Sequence, residues 1–302
     1  MVQPYSELDV SLRKVREQLE NLSRASSLTR QFTHMWRNYS MLNLLDLGCA
    51  TGANFRYLAP RLDCHQNWTL MDRDDSAFED LIEETEHWAG SHNWTMKNRE
   101  DRSFTLVADD QQWHVNMYVI ALDEEVEKIN LGGFHALCSS NFLEKTSAEW
   151  YRKLAQRCAD AQLPQLLGVN YTSHLKLSPS DPDDALVMEG FHRHIKQDYG
   201  LGEAMGDETS YYILRELTNL RFTVQESEYV WYLNSTRQPA LINLMIERLS
   251  KSAQAVYGEE EEKRIQAWAS RRHYAIAAKK VKMEIGYSDI LAKPGRNRFR
   301  RG

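Results

Sequence analysis

Leu44-Leu45-Asp46-Leu47-Gly48-Cys49-Ala50-Thr51-Gly52 decides how this chain is read. The apolar run spells a buried strand, and the two glycines spell a tight turn that opens into a helix. Neither glycine carries a side chain, so the backbone there can press against a nucleoside-sized ligand. A second apolar run, Trp68-Thr69-Leu70-Met71, ends in Asp72, about twenty residues beyond the turn. An acid at that offset holds a ribose in nucleotide-type folds.

Two details narrow the ligand. A dinucleotide fingerprint runs G-x-G-x-x-G, whereas this turn runs Gly48-x-x-x-Gly52 with an acid, Asp46, just before it. Negative charge there opposes a diphosphate and suits a cationic or zwitterionic ligand. A nicotinamide oxidoreductase is disfavoured on the same ground. Asp46-Leu47-Gly48-Cys49-Ala50-Thr51-Gly52 resembles the first motif of class I, Rossmann-like S-adenosyl-L-methionine (SAM)-dependent methyltransferases. Leu70-Met71-Asp72-Arg73-Asp74 is similar to that family's ribose-binding segment. The plain alternative is a strand, a turn and an incidental acid.

The resemblance implies an α/β fold with a doubly wound, mainly parallel seven-stranded sheet. It further implies an N-terminal helical lid over 1–40 and a SAM-binding methyltransferase domain over 41–302. The remaining sequence reads compatibly. Leu8, Val10, Leu12, Val15, Leu19 and Leu22 recur at helical spacing. Strands are expected at 42–47 and 68–72, with helices at 53–62 and 76–90. Residues 91–103 are polar and read as loop. The runs 104–108 and 113–120 suggest a hairpin, which leaves the third sheet strand open; 115–122, ending at Asp123, is favoured over a strand ending at Asp109. Further strands are expected at 134–138, 165–171, 222–232 and 282–292. Ser147 is an N-cap for the next helix. A helical insert at about 172–206 follows the fifth strand, above the strand ends where ligands bind in open α/β sheets.

Bulk properties exclude several classes. At 302 residues with 42% apolar content the chain can bury a real core. A formal charge of −6 and a pI near 6.0 argue against a dedicated nucleic-acid binder. Arg296, Arg298, Arg300 and Arg301 form one basic patch, or simply a solvated tail. Cys49, Cys64, Cys138 and Cys158 lack C-x-x-C spacing, so neither a disulfide framework nor a zinc site is expected. No apolar run approaches membrane-spanning length and no signal core opens the chain, which points to a cytoplasmic protein without a membrane partner. The later pattern, from Asn170-Tyr171 through Ser178-Pro179-Ser180-Asp181 to the glycines near 200, is similar to a group of bacterial methyltransferases.

The resemblance also implies roles. Asp46 binds the methionine amino group, and the Gly48 and Gly52 backbone contacts the methionine and ribose, with Cys49 as a small residue in the bend. Asp72 accepts the ribose hydroxyls and Arg73 lies along the adenine. Leu122 and Asp123 flank the adenine, with Asp109 as the alternative acid. Ser139, Ser140 and Asn141 end the fourth strand beneath the methyl and carry the methionine carboxylate or the substrate. Trp36 and Arg37 either approach the ligand from the lid or dock its helix. Tyr171, at a strand end, is expected to face the cleft with His192 and His194; His194 and Asp198 share one helix face by spacing. His194 and Tyr171 are the candidate catalytic groups, a histidine acting as base; the competing reading of the histidines is a solvated helix face. Trp231 and Tyr232 wall the pocket or belong to the core.

A methyl sulfonium is already activated, so such an enzyme chiefly aligns a nucleophile for in-line displacement. The expected reaction moves a methyl group from SAM to an O, N or C nucleophile of a small molecule and leaves S-adenosyl-L-homocysteine (SAH). A monomer or homodimer is expected. The rivals are an RNA or protein methyltransferase and a SAM-binding protein without transferase activity.

Overall fold

In β1 (Met41–Leu47) successive side chains leave the sheet in opposite directions. Leu42 and Leu44 enter one apolar layer, and Leu45 and Leu47 the other. A strand buried on both faces belongs in the middle of a sheet covered on both sides. The computed structural model, which describes residues 10–120 and 126–295, places it there. β1 pairs in parallel with β2 (His65–Asp72) and β6 (Ala136–Ser140). β2 pairs in parallel with β5 (Gln111–Val119), and β6 with β7 (Gln165–Ser178).

The sheet has nine strands among the described residues and is mixed, where seven mainly parallel strands were expected. Its order is β3-β4-β5-β2-β1-β6-β7-β9-β8. β9 (Lys282–Lys293) runs antiparallel between β7 and β8 (Thr223–Asn234). At the other edge, β4 (Ser103–Ala108) forms the expected hairpin with β5, and β3 (Thr95–Glu100) adds an unexpected edge strand. β3 is exposed at five of its six positions, so it has no apolar alternation to betray it. The third parallel strand is therefore β5. Asp109 sits in the hairpin turn at its start, with φ +55°, at the opposite end of the sheet from Asp72. It is not placed to contact a ligand held by Asp72.

Helices α2 (Ser26–Met35), α3 (Ala53–Leu58) and α4 (Ala77–Ser91) pack on one face, and α5 (Ala148–Asp160) and α7 (Thr209–Asn219) on the other. Ser147 caps α5, its hydroxyl accepting from the Trp150 amide at 3.1 Å. β7, β8 and β9 continue past the ends of the central strands. Helices α6 (Asp184–Ile195), α8 (Pro239–Gln254) and α9 (Glu259–Ala277) build a third apolar cluster on that extension around Trp231, Trp268, Ile285 and Tyr287. Trp231 is buried, and Tyr232, on the opposite side of its strand, is 70% exposed.

Helix α1 (Val10–Ser23) buries charge along much of its inner face, with Leu19 packing on the third cluster. Val15 and Leu22 are exposed, whereas Arg13, Arg16 and Glu20 are buried. Leu8 lies outside the described residues. The reason is electrostatic: Arg13 meets Asp80 and Glu84 on α4, Glu17 meets Arg56 on α3, and Arg16 donates to Glu20. A charged stripe can form the inner face of a helix when partners await it there.

Candidate functional site

Three parallel strands end side by side, and a cleft of about 660 Å³ opens over their C-terminal ends. Its floor is Gly48, Cys49, Ala50 and Thr51 after β1, Asp72 to Asp74 after β2, and Ser140 to Phe142 after β6. Its far wall comes from His194, Tyr199 and the inner face of α8, and Arg16 and Glu20 of α1 close one side.

The bend after β1 has three residues with positive φ: Gly48 at +69°, Ala50 at +43° and Gly52 at +82°. Gly48 is obligatory on steric grounds, because a Cβ there would lie 2.2 Å from Cγ of Phe142. The bend is stitched to the end of β2. The Gly48 and Cys49 amides donate to the Met71 carbonyl at 2.8 and 3.2 Å, and the Ala50 amide donates to Oδ2 of Asp72 at 2.8 Å. Oδ1 of Asp72 accepts from the Asp74 amide. Two backbone donors thus fix a half-buried carboxylate on the cleft floor, with acceptor capacity to spare.

Asp46 stands one layer behind the floor and is itself buried. Oδ1 accepts from Asn54 Nδ2 at 2.7 Å, and Oδ2 has no hydrogen-bond partner among the described residues. Burial pushes its carboxyl up to about 7, against the pull of the Asn54 hydrogen bond and of Arg24. Asn54 lines the cleft and accepts from Arg24, so the Asp46 charge reaches the cleft wall through one amide. Burial likewise pushes the Cys49 thiol well above its usual range, so it serves as a compact wall rather than as a nucleophile.

The structure gathers Gly48, Cys49, Asp72, Arg73, Ser140, Asn141 and His194 around one cleft. Gly52 precedes α3, its amide donating to the Cys49 carbonyl at 2.8 Å. Arg73 is exposed and reaches the Tyr199 carbonyl at 2.5 Å, tying the end of β2 to the insert. Ser139 is turned away into the sheet, where its hydroxyl donates to the Leu47 carbonyl. Leu122 and Asp123 lie outside the described residues, immediately beyond Ile120, whose amide donates to the Asp72 carbonyl.

Other expected groups are elsewhere. Trp36 packs against Tyr39 and His135, which precede β1 and β6, and neighbouring Arg37 is exposed and bonds His34. That is the opposite end of the sheet, because α2 runs down to where β1 begins. Tyr171 is buried beneath α6, its ring against Phe191 and Tyr287 and its hydroxyl 2.9 Å from Nε2 of His192. The tyrosine and His192 therefore occupy each other away from the cleft. Helix α6 ends at Ile195, so Asp198 does not share a face with His194; its Oδ1 accepts from the Gly200 and Gly202 amides at 2.7 and 2.9 Å.

His194 is 5% exposed and lines the cleft, and neither ring nitrogen has a hydrogen-bond partner among the described residues. Burial lowers its pKa, and the Arg248 charge adds to that effect, which keeps the imidazole neutral and able to accept a proton. No group of three histidine, cysteine, aspartate or glutamate side chains placed to hold a metal ion occurs among the described residues. No described helix is long and apolar enough to cross a membrane.

Sequence reasoning missed Arg16, Glu20, Lys145, Arg248 and Ser252 of the lining. One signal was available. Leu241, Met245, Arg248 and Ser252 follow helical spacing along a single face of α8, so a cation and a hydroxyl continue a stripe that begins apolar.

No protein-family model matches the chain, and no curated protein matches it significantly. Among solved structures it is similar to a cyclopropane synthase from Mycobacterium tuberculosis, at 12% identity over 89% of this chain and 83% of that one, with a TM-score of 0.43. It is similar to a cyclopropane-fatty-acyl-phospholipid synthase-like protein from Lactobacillus casei, at 9% identity over 94% of both chains and a TM-score of 0.48. It is also similar to a SAM-dependent methyltransferase from Geobacter sulfurreducens solved with SAH, at 13% identity over 89% of this chain and 92% of that one, with a TM-score of 0.42. Likenesses this distant leave the functional reading to the residues of the cleft.

Proposed function

We propose that this chain is a class I SAM-dependent methyltransferase acting on a small molecule. The observation that carries the reading is the closure of the Gly48–Gly52 bend onto Asp72 at the floor of a single cleft. When bound, SAM supplies a methyl group already activated as a sulfonium. The chain supplies a cradle. Asp72 accepts the ribose hydroxyls, and the side-chain-free bend lets backbone approach the adenosyl and methionine portions. Asp46, one hydrogen bond short and backed by Asn54, favours an ammonium at the methionine end. Ser140 and Asn141 offer polar groups beneath the methyl.

The acceptor occupies the space between that floor and α8. Neutral His194 takes the proton that an O or N nucleophile sheds as it is methylated. Helix α1 covers the cleft with Arg16 and Glu20, so the lid is this helix rather than the segment around Trp36. The cavity is bounded on several sides, which suits a small acceptor better than a nucleic acid.

Calorimetric titration with SAH tests the reading. The wild-type protein should bind, and Asp72→Ala should lose affinity by about 100-fold, the loss of two charge-assisted hydrogen bonds. Unchanged affinity would refute the cradle. Labelled SAM incubated with a cell extract should then label a metabolite; binding without transfer to any fraction would leave a SAM-binding protein instead. Co-purification of RNA would favour the nucleic-acid rival.

A further inference from the structure

Charged side chains around the cleft can be paired off, and two cations are left over. Arg16 donates to Glu20 at 2.8 Å. Lys251 stands 4.0 Å from Glu247. Asp72 is held by the bend, and Arg73 by the Tyr199 carbonyl. Lys145, at the end of the short turn after β6, and Arg248, on α8, line the same cleft from different elements. Neither forms a salt bridge or a side-chain hydrogen bond among the described residues, and Nε of Arg248 is buried without a partner. The only aromatic face near the guanidinium is Phe191, 5.9 Å away among the described rings. Glu144 is buried nearby, and its charge acts on both cations without pairing with either.

We propose that Lys145 and Arg248 form a clamp for an oxyanion, a carboxylate or phosphate group carried by the methyl acceptor. The proposal rests on the SAM reading above and names the class of molecule that fills the rest of its cleft. Two unpaired cations facing one half-buried space repel one another, and that cost is recovered when a doubly accepting anion joins them. Burial depresses both side chains' pKa values from their usual range; the Arg248 and Arg16 charges add to this at Lys145, and Arg16 adds to it at Arg248, against the pull of Glu144 on each. A planar guanidinium opposite an ammonium is the pairing that recognises a carboxylate or phosphate edge. His194 lies within reach of the Arg248 charge, which disfavours its protonation. An acceptor anchored there presents a nucleophile near the neutral imidazole. The methionine carboxylate of the cofactor has its own donors at Ser140 and Asn141, on the floor.

The test uses SAH-saturated full-length protein titrated with acetate and with inorganic phosphate. At least one should bind at millimolar concentration, and which one binds distinguishes a carboxylate from a phosphate acceptor. Arg248→Met and Lys145→Met should each weaken that anion about tenfold, while leaving SAH affinity within about twofold. Arg248→Lys should recover part of the loss, and circular dichroism should confirm that all three variants fold. Failure of both anions to bind, or equal binding by wild type and variants, overturns the clamp. A parallel loss of SAH affinity in Arg248→Met also overturns it, because the cations would then hold the cofactor's own carboxylate. Failure of the wild-type protein to bind SAH at all is a separate result, and it removes the underlying methyltransferase reading.

Discussion

The two halves of the sheet are built by different rules. The parallel half, from β5 to β6, gathers its functional groups at strand ends, where a few consecutive residues decide the backbone path. The antiparallel half, β7-β9-β8, gathers its contribution through helices that arrive from distant parts of the sequence and pack on extended strands. The first half is local and sterically exact in its demands; the second is assembled by burial and tuned by charge. A substitution in the first should therefore act through backbone geometry, and one in the second through packing and desolvation.

The largest expected effect is at the bend. Gly48→Val places a branched side chain at φ +69° and a Cβ inside the Phe142 ring. Left-handed strain of about 1–2 kcal/mol adds to an overpacking cost of about 1–3 kcal/mol or more. The variant should melt far below wild type in urea and bind no detectable SAH. A soluble, normally stable variant that still binds SAH would break the claim that this half is governed by backbone sterics.

The seam between the halves should come next. Asp289 on β9 accepts from the Ala25 and Val169 amides at 3.0 and 2.9 Å, from Tyr229 at 3.2 Å and from Arg24 at 3.5 Å. Arg24 passes the connection through Asn54 to Asp46. Asp289→Ala strands a buried guanidinium and two amides, at a cost of about 3–5 kcal/mol in denaturant unfolding. Arg272→Ala should cost a similar amount in the antiparallel half, because this buried guanidinium pairs with Asp184 and donates to the Pro179 carbonyl. SAH binding should weaken in Asp289→Ala and survive in Arg272→Ala, since only the former touches the relay to Asp46.

Asp46 itself sharpens the comparison through pH. Its carboxyl titrates at about 7 in the folded chain, above its ordinary value of 3.8. The folded state therefore holds the proton more tightly than the unfolded state. The resulting stabilisation is present below the unfolded value and is lost as pH rises from about 4 through about 7, by an amount on the order of 4 kcal/mol. Asp46→Asn should flatten that part of the stability profile. A bound ammonium favours the ionised carboxylate, so SAH binding should release a proton and weaken about tenfold between pH 8 and pH 6. Calorimetry in buffers of different ionisation enthalpy reads the proton directly. Equal proton release by Asp46→Asn would assign it elsewhere.

Much of the parallel half was legible in the sequence. Leu44 to Gly52 and Trp68 to Asp72 specify strand, bend and acid with little help from the rest of the chain, and the helix after Ser147 begins where its cap predicts. β3 was illegible because an exposed edge strand needs no apolar period. Helix α1 was legible as a helix, but its inner face was not, because apolar spacing gives no sign that Arg13, Arg16 and Glu20 are the residues buried. Tyr171 was misplaced, and of the two readings of Trp36 only the docking one holds, for a third reason. Position along a strand or helix was known for each, but which neighbours would cover it depends on α6 and on the direction of α2. The wall formed by α8 was invisible in the same way: its amphipathic pattern announces a buried face without naming what it is buried against.

The smallest expected effect lies at the surface of the antiparallel half, next to one of the larger ones. Arg271 is half-exposed and donates to both Asp181 and Asp183, while the adjacent Arg272 is buried on Asp184. Arg271 and Arg264 hold those two outer carboxyls below the usual range. Solvent and salt screen such contacts, so geometry as good as 2.7 Å does not convert into much stability. Arg271→Ala should cost less than about 1 kcal/mol, and less again at high salt. Residues one apart in sequence would then differ severalfold in effect, with burial alone separating them. A loss near that of Arg272→Ala would instead mean that the 178–184 loop is clamped from its surface, and that charge rather than burial assembles this half of the molecule.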